Sequence, residues 1–240
     1  MEEKGFYMEQ RVVCVRECTQ GGPIRCLYEM RECKGAEIIE IPTGCTEIRC
    51  MSDGNDSRLE IAEGLTKAEE CSFSRYDRCV GIRLAPGVSV RKEVLEKDPD
   101  LKQQLMKQML SEISLKDRLR EIELLLQAGL LADCPEPVRE LVQMLQQNNG
   151  CVNVSTCLRE MAYSQRRMES LFKEALKLSM KKYAMIVKLQ ICLGRMEKQI
   201  PEVWNDLQFY DQTHFIKSFK TFLSVTPTQY EKNRAEMGAY

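Results

Sequence analysis

The feature that most constrains this 240-residue chain is a change of period at Pro86-Gly87. Before it, apolar residues come in short, partly alternating runs. After it, they recur every three or four positions. Strand side chains alternate between two faces, whereas helix side chains return to one face every 3.6 residues. The chain therefore reads as α+β, with β structure first and helices after. The β runs cover residues 11–16, 24–28, 36–41 and 46–51, punctuated by Gly21-Gly22-Pro23, Pro42-Thr43-Gly44 and Asp53-Gly54-Asn55. Short strands at this spacing predict a small barrel or sandwich, with residues 79–84 as its closing strand.

Two helices are expected next. Leu101, Leu105, Met109 and Ile113 form one stripe, and Leu115, Leu119, Ile122 and Leu126 a second, with Ser114 and Asp117 able to break and restart the helix. Asp133-Cys134-Pro135-Glu136-Pro137 is the expected boundary, because two prolines discourage a helix and stiffen a short linker. The expected parts are residues 1–88, 89–134 and 135–240.

Beyond the boundary, residues 137–147 predict a helix stopped by Asn148-Asn149-Gly150. A short helix through Leu158 leads to a turn at Met161-Ala162-Tyr163. Ser164 can cap the next helix, which turns Met168, Leu171, Phe172 and Ala175 inward and leaves Gln165, Arg166, Glu169, Ser170 and Lys173 outward. Ser179 can cap a helix from Met180 to Leu193, ended near Gly194; its length is about 21 Å at ~1.5 Å per residue. Asp211 can cap a last amphipathic helix, with Phe215, Phe219 and Phe222 on one face and Gln212, Thr213, His214, Lys217 and Lys220 on the other. Amides and hydroxyls near a helix start, with lysines further along, suit a reading helix in a DNA major groove. The same pattern also describes an ordinary amphipathic helix with a solvated polar face.

Composition narrows the function classes. Net charge is −1, but residues 135–240 carry 15 Lys and Arg against 11 Asp and Glu, a balance of +4, which leaves −5 for the rest. A mildly basic C-terminal part is compatible with phosphate contacts. Twelve cysteines, eight of them before residue 80, form no Cys-x-x-Cys pair, and His214 is the single histidine. A zinc site is not expected. No run of about 18 apolar residues predicts a membrane span, and the charged start Met1-Glu2-Glu3-Lys4-Gly5 does not read as a signal peptide. A cytoplasmic protein without a disulfide framework follows, its cysteines serving as small hydrophobes in strands, with a thiol or metal sensor as the other reading. No nucleophile–base pair, phosphate loop or paired-carboxylate cluster points to an enzyme or a cofactor.

The order of residues at the C-terminus adds to this. Phe209-Tyr210-Asp211-Gln212-Thr213-His214-Phe215, then Phe219-Lys220, then Val225-Thr226-Pro227-Thr228-Gln229-Tyr230, resembles the signature of AraC/XylS-type transcription regulators. Residues 164–173 resemble the first helix-turn-helix of the same family. The resemblance covers about residues 137–230 and implies two helix-turn-helix units joined by a long helix. It implies DNA contacts from Ser164, Gln165, Arg166, Glu169, Ser170, Lys173, Asp211, Gln212, Thr213, His214, Lys217 and Lys220. Residues 41–48 and 80–87 are similar to patterns of the family's sensor domains, which implies a cupin-like β domain, a small-molecule effector, and residues 89–134 as a connector or homodimer interface. Packing of those helices on the β domain is the alternative role. The implied partners are double-stranded DNA, an unknown small molecule, a second copy and RNA polymerase.

Departures from the pattern are specific. Leu158 and Trp204 stand where the family has alanine, Ala162 and Gln208 where it has a turn glycine, and Ser170 where an arginine often faces DNA. Thr43 replaces an acid and Ala85 an arginine of the sensor patterns. A degenerate domain used as a protein-interaction scaffold is therefore the competing reading.

Overall fold

The computed structural model describes residues 6–9, 12–19, 21–71, 73–132, 134–197 and 204–239. The chain begins with β1 (Phe6–Glu9), β2 (Val13–Cys18), β3 (Ile24–Arg31), β4 (Ile38–Glu40), β5 (Glu47–Ser52), β6 (Ser57–Ala62), β7 (Glu69–Glu70), β8 (Arg78–Leu84) and β9 (Ser89–Val90). Then come α1 (Lys92–Lys97), α2 (Pro99–Leu110), α3 (Leu115–Gln127) and β10 (Leu131–Ala132). The remainder is α4 (Glu136–Gln147), α5 (Val154–Glu160), α6 (Gln165–Leu176), α7 (Met180–Glu197), α8 (Gln212–Leu223), α9 (Pro227–Glu236) and β11 (Met237–Ala239).

One antiparallel sheet has the order β2-β3-β8-β5-β6. Alternation along its strands sends Leu27, Ile48, Cys50, Val80, Ile82 and Leu84 to one face, where they meet Leu105, Met109, Leu119, Ile122 and Leu126 of α2 and α3. Tyr28, Met30, Met51 and Cys79 go to the other face and pack with Ile38 of β4. β4 belongs to a second sheet, ordered β11-β1-β4-β7, so the two sheets lie face to face. The expected closing strand at 79–84 is instead the centre of the first sheet: β8 pairs with both β3 and β5. Its nearly continuous apolar run is what a strand covered on both faces requires.

Polar groups also fill the space between the sheets. Tyr28, Glu47, Arg49 and Arg83 are all buried. Glu47 accepts from the Tyr28 hydroxyl at 2.7 Å, from Arg83 Nε at 2.7 Å and from Arg49 NH2 at 3.0 Å. Gly81 stands opposite Tyr28, and a Cβ there would strike the phenol ring. Burial alone would raise the Glu47 pKa; the Arg83 and Arg49 guanidiniums together outweigh it and hold the carboxyl at about 2.

Three expectations on the helices are corrected. α2 stops at Leu110, because Ser111 turns to extended backbone and Ser114 then caps α3 by accepting from the Asp117 N–H at 3.2 Å. Ile113 therefore leaves the stripe, sits in the intervening turn and is 44% exposed. α7 passes through Gly194 to Glu197, an 18-residue helix of about 27 Å. A mid-helix glycine costs about 1 kcal/mol, which burial of Leu193 and Met196 on either side offsets. A second helix-turn-helix unit also implies a short helix before α8, but residues 204–208 show only turns, and residues 198–203 lie outside the described residues. So do Asp133, at the expected boundary, and Arg11, at the expected start of the first strand run.

The two halves share a core. Ile41 and Ala68, from the β half, are buried among helical residues that include Tyr183, Ile186 and Phe222. Gln190 Nε2 donates to the Pro42 carbonyl at 2.8 Å, and the Ala68 N–H to the Phe222 carbonyl at 2.6 Å.

Candidate nucleic-acid interface

The first unit is α5, a turn and α6. Tyr163 N–H reaches back to the Leu158 carbonyl at 3.1 Å across Ala162, which sits at φ +55°. That six-residue loop with a left-handed residue ends α5 sharply and aims the chain at α6. Ser164 Oγ accepts the Arg167 N–H at 3.3 Å, so it acts as the cap of α6. Met168, Phe172 and Ala175 are buried; Gln165, Arg166, Glu169, Ser170 and Lys173 are exposed. Gln165 Nε2 donates to Glu169 Oε1 at 2.8 Å, so two outward side chains bind each other one turn apart. Leu158, in place of alanine, is 3% exposed and is absorbed into the core.

The second unit repeats the design. Gln208 holds the turn at φ +52°. Asp211 Oδ1 accepts the His214 N–H at 2.6 Å, making Asp211 the cap of α8. Phe209, Phe215, Phe219 and Tyr230 form a chain of edge-on rings with centroids 5.2, 5.6 and 5.8 Å apart. Such pairs add about 0.5–1.5 kcal/mol each to area burial. Thr226 and Gln229 cap α9 reciprocally: Thr226 N–H donates to Gln229 Oε1 at 3.0 Å, and Gln229 N–H to Thr226 Oγ1 at 3.3 Å, with Pro227 as the first helical residue. Trp204 is half-buried against this core, and Arg195 at the end of α7 pairs with Asp206 at 3.0 Å. Gln212, Thr213, His214, Lys217 and Lys220 are exposed on α8.

Each of the twelve residues implied by the resemblance thus lies on α6, on α8 or at their caps. Ser164 and Asp211 hold helix ends; the other ten point to solvent. The motif passes over two residues of the same surface: Arg167, exposed in the first turn of α6, and Tyr210, 92% exposed just before α8. Their signal in the sequence is adjacency to a cap.

Residues 157–233 match the family model described as a helix-turn-helix domain. They form an AraC-type helix-turn-helix domain. No curated protein sequence matches the chain. Among solved structures, ToxT from Vibrio cholerae is similar, with a TM-score of 0.43 and 9% identity over 95% of this chain and 98% of that one. An apo variant of ToxT gives the same score and identity, over 95% of each chain. A wild-type ToxT bound to an unsaturated fatty acid gives 0.42 and 10%, over 96% and 97%. Val138, Leu141, Val142 and Leu145 of α4, outside the matched residues, lie in the same buried cluster as the two units. Among the described residues, no helix is long and apolar enough to cross a membrane.

Proposed function

We propose that this protein is a sequence-specific transcription regulator whose helices α6 and α8 enter successive major grooves of double-stranded DNA. The observation that carries the reading is the pairing of two capped, amphipathic helices, each fixed by a buried apolar face and each exposing amide, hydroxyl and cationic groups. Successive grooves on one side of B-DNA lie about 34 Å apart, a distance that suits two units separated by the ~27 Å length of α7. In this reading Lys173, Lys217 and Lys220, with Arg166, neutralise phosphates, while Gln165, Glu169, Gln212, Thr213 and His214 meet base edges. Residues 135–240 bind DNA in the cytoplasm, residues 1–88 sense an effector, and residues 89–134 connect the two and offer a homodimer interface. RNA polymerase is the partner through which transcription changes.

The effector reading is supported by a cleft of about 590 Å³ at the seam between the halves. Ile39, Glu70, Cys71, Phe73 and Leu223 line it, and it adjoins Ala68, whose N–H binds the last turn of α8. A small molecule there touches both the β half and a reading helix.

The test is a binding-site selection on the full chain, followed by titrations at several salt concentrations. A defined motif and an affinity that falls steeply with salt are expected, and Lys217→Ala should reduce the salt slope by about 1. No selected motif, with affinity flat in salt, would leave the interaction-scaffold reading in possession.

A further inference from the structure

His214 is the sole histidine of the chain and the third residue of α8. Three contacts hold it. Its own N–H donates to Asp211 Oδ1 at 2.6 Å. Its ring meets Phe209 edge-on, centroids 5.6 Å apart. Its Nδ1 accepts the main-chain N–H of Tyr210 at 3.3 Å. The last contact fixes the chemistry of the ring, because an acceptor nitrogen must carry a lone pair. A neutral imidazole with a lone pair on Nδ1 bears its hydrogen on Nε2.

We propose that His214 is a specificity-determining residue that presents a fixed Nε2–H donor to a base edge. The inference rests on the DNA-reading role of α8. An untethered histidine can flip its ring or exchange tautomers, and so offer either a donor or an acceptor. Here either change breaks the bond to Tyr210. In the major groove guanine offers two acceptors, O6 and N7, whereas cytosine offers only the N4 donor. The base opposite His214 is therefore one with an acceptor, guanine foremost, and cytosine is rejected.

Two measurements test this. Nitrogen-15 NMR of the imidazole in the full chain is free of overlap, because there is one histidine. The Nε2–H tautomer is expected, and an Nδ1–H tautomer overturns the proposal. The second measurement is binding-site selection on wild type, His214→Asn and His214→Gln. Asparagine can place its carbonyl oxygen where Nδ1 accepts the Tyr210 N–H, yet nothing reaches the place of Nε2. Glutamine reaches that place with a donor but gives up the tether. His214→Asn should therefore lose roughly tenfold of the guanine-over-cytosine preference at one motif position and keep the rest. His214→Gln should keep that preference while binding more weakly overall. A His214→Asn motif identical to wild type shows that His214 is a cap alone, and overturns the proposal. A wild type that selects no motif removes the DNA-reading role and the proposal with it; the tautomer, read in the absence of DNA, tells that failure from the other.

Discussion

Ala162 and Gln208 hold their turns at φ +55° and +52°, where an L-residue with a Cβ is strained by about 1–2 kcal/mol. Glycine removes that strain but loses more freedom on folding, which returns about 0.5–1 kcal/mol. Ala162→Gly and Gln208→Gly should each stabilise the protein by about 0.5–1 kcal/mol, read from urea unfolding midpoints. Unchanged or lowered midpoints would show that side-chain contacts at these turns outweigh the backbone strain. Glu47 supports a second prediction. Its folded pKa of about 2 lies below its usual value of 4.5. A depressed carboxylate contributes stability that is complete above the unfolded pKa and is lost as pH falls through the folded one. Between pH 4.5 and about 2 the protein should therefore lose about 3 kcal/mol through this residue. Glu47→Gln should flatten that acid limb while lowering stability at neutral pH, since Arg83 and Arg49 are left without their shared carboxylate. An acid limb of equal steepness in the variant would assign the loss to other groups. The cysteines fit the same residue-level physics. Burial raises Cys33, Cys50, Cys71 and Cys192 to about 12, so each remains a neutral thiol and packs as a small apolar group.

At the scale of elements, what was legible in the sequence was local. Ser164, Ser179 and Asp211 each cap the helix expected of them, and Ser114, expected to break and restart the helix, caps α3, because a cap is decided by side chain and backbone three residues apart. The stripe Phe215, Phe219, Phe222 is buried for the same reason: its period belongs to one helix. What escaped is set by distant partners. β7, β9 and β10 have two residues each, too few for a pattern, and exist because β4 pairs with β7 and β9 with β10. The central place of β8 depends on β3 and β5 together. The candidate reading faces were legible, whereas the Gln165–Glu169 bond that occupies two outward side chains of α6 was not. Glu169 and Glu174 offset Arg166, Arg167 and Lys173 on α6, and Ser170 stands in place of an arginine, so α6 has less net positive charge than α8, which carries Lys217 and Lys220 and no acid. Ser170→Arg should therefore strengthen DNA binding several-fold, make its salt dependence steeper by about 1, and leave the selected motif unchanged. A new base preference would instead place residue 170 in the groove.

At the scale of the whole molecule, the β half and the helices α6, α7 and α8 meet at points too far apart in sequence for any local pattern to announce. The Ile41-Pro42-Thr43-Gly44 segment, similar to a sensor pattern, is packed against α7. Gly64 lies against Lys177 at the end of α6, and Ala68 binds the last turn of α8. Three successive contacts from the β half therefore touch α7 and the C-terminal ends of α6 and α8. Gly44 leaves no room for a side chain in this arrangement. Its φ is +74°, and a Cβ would lie 2.6 Å from the Tyr183 ring. Gly44→Ala adds a left-handed strain of about 1–2 kcal/mol to an overpacking cost of about 1–3 kcal/mol. Gly54 supplies the control, since its φ is +90° and a Cβ there meets nothing within 4 Å. Gly54→Ala should cost the strain alone, about 1–2 kcal/mol. The excess loss in Gly44→Ala, read as the difference between the two unfolding free energies, is then the contribution of the seam. The same variant should accept DNA in which the two halves of the selected motif are moved apart by a base pair or two, because α7 is no longer held by the β half. Equal losses in the two variants, with an unchanged spacing requirement, would mean that Gly44 serves its own turn and that the reading helices keep their separation without help from the β half.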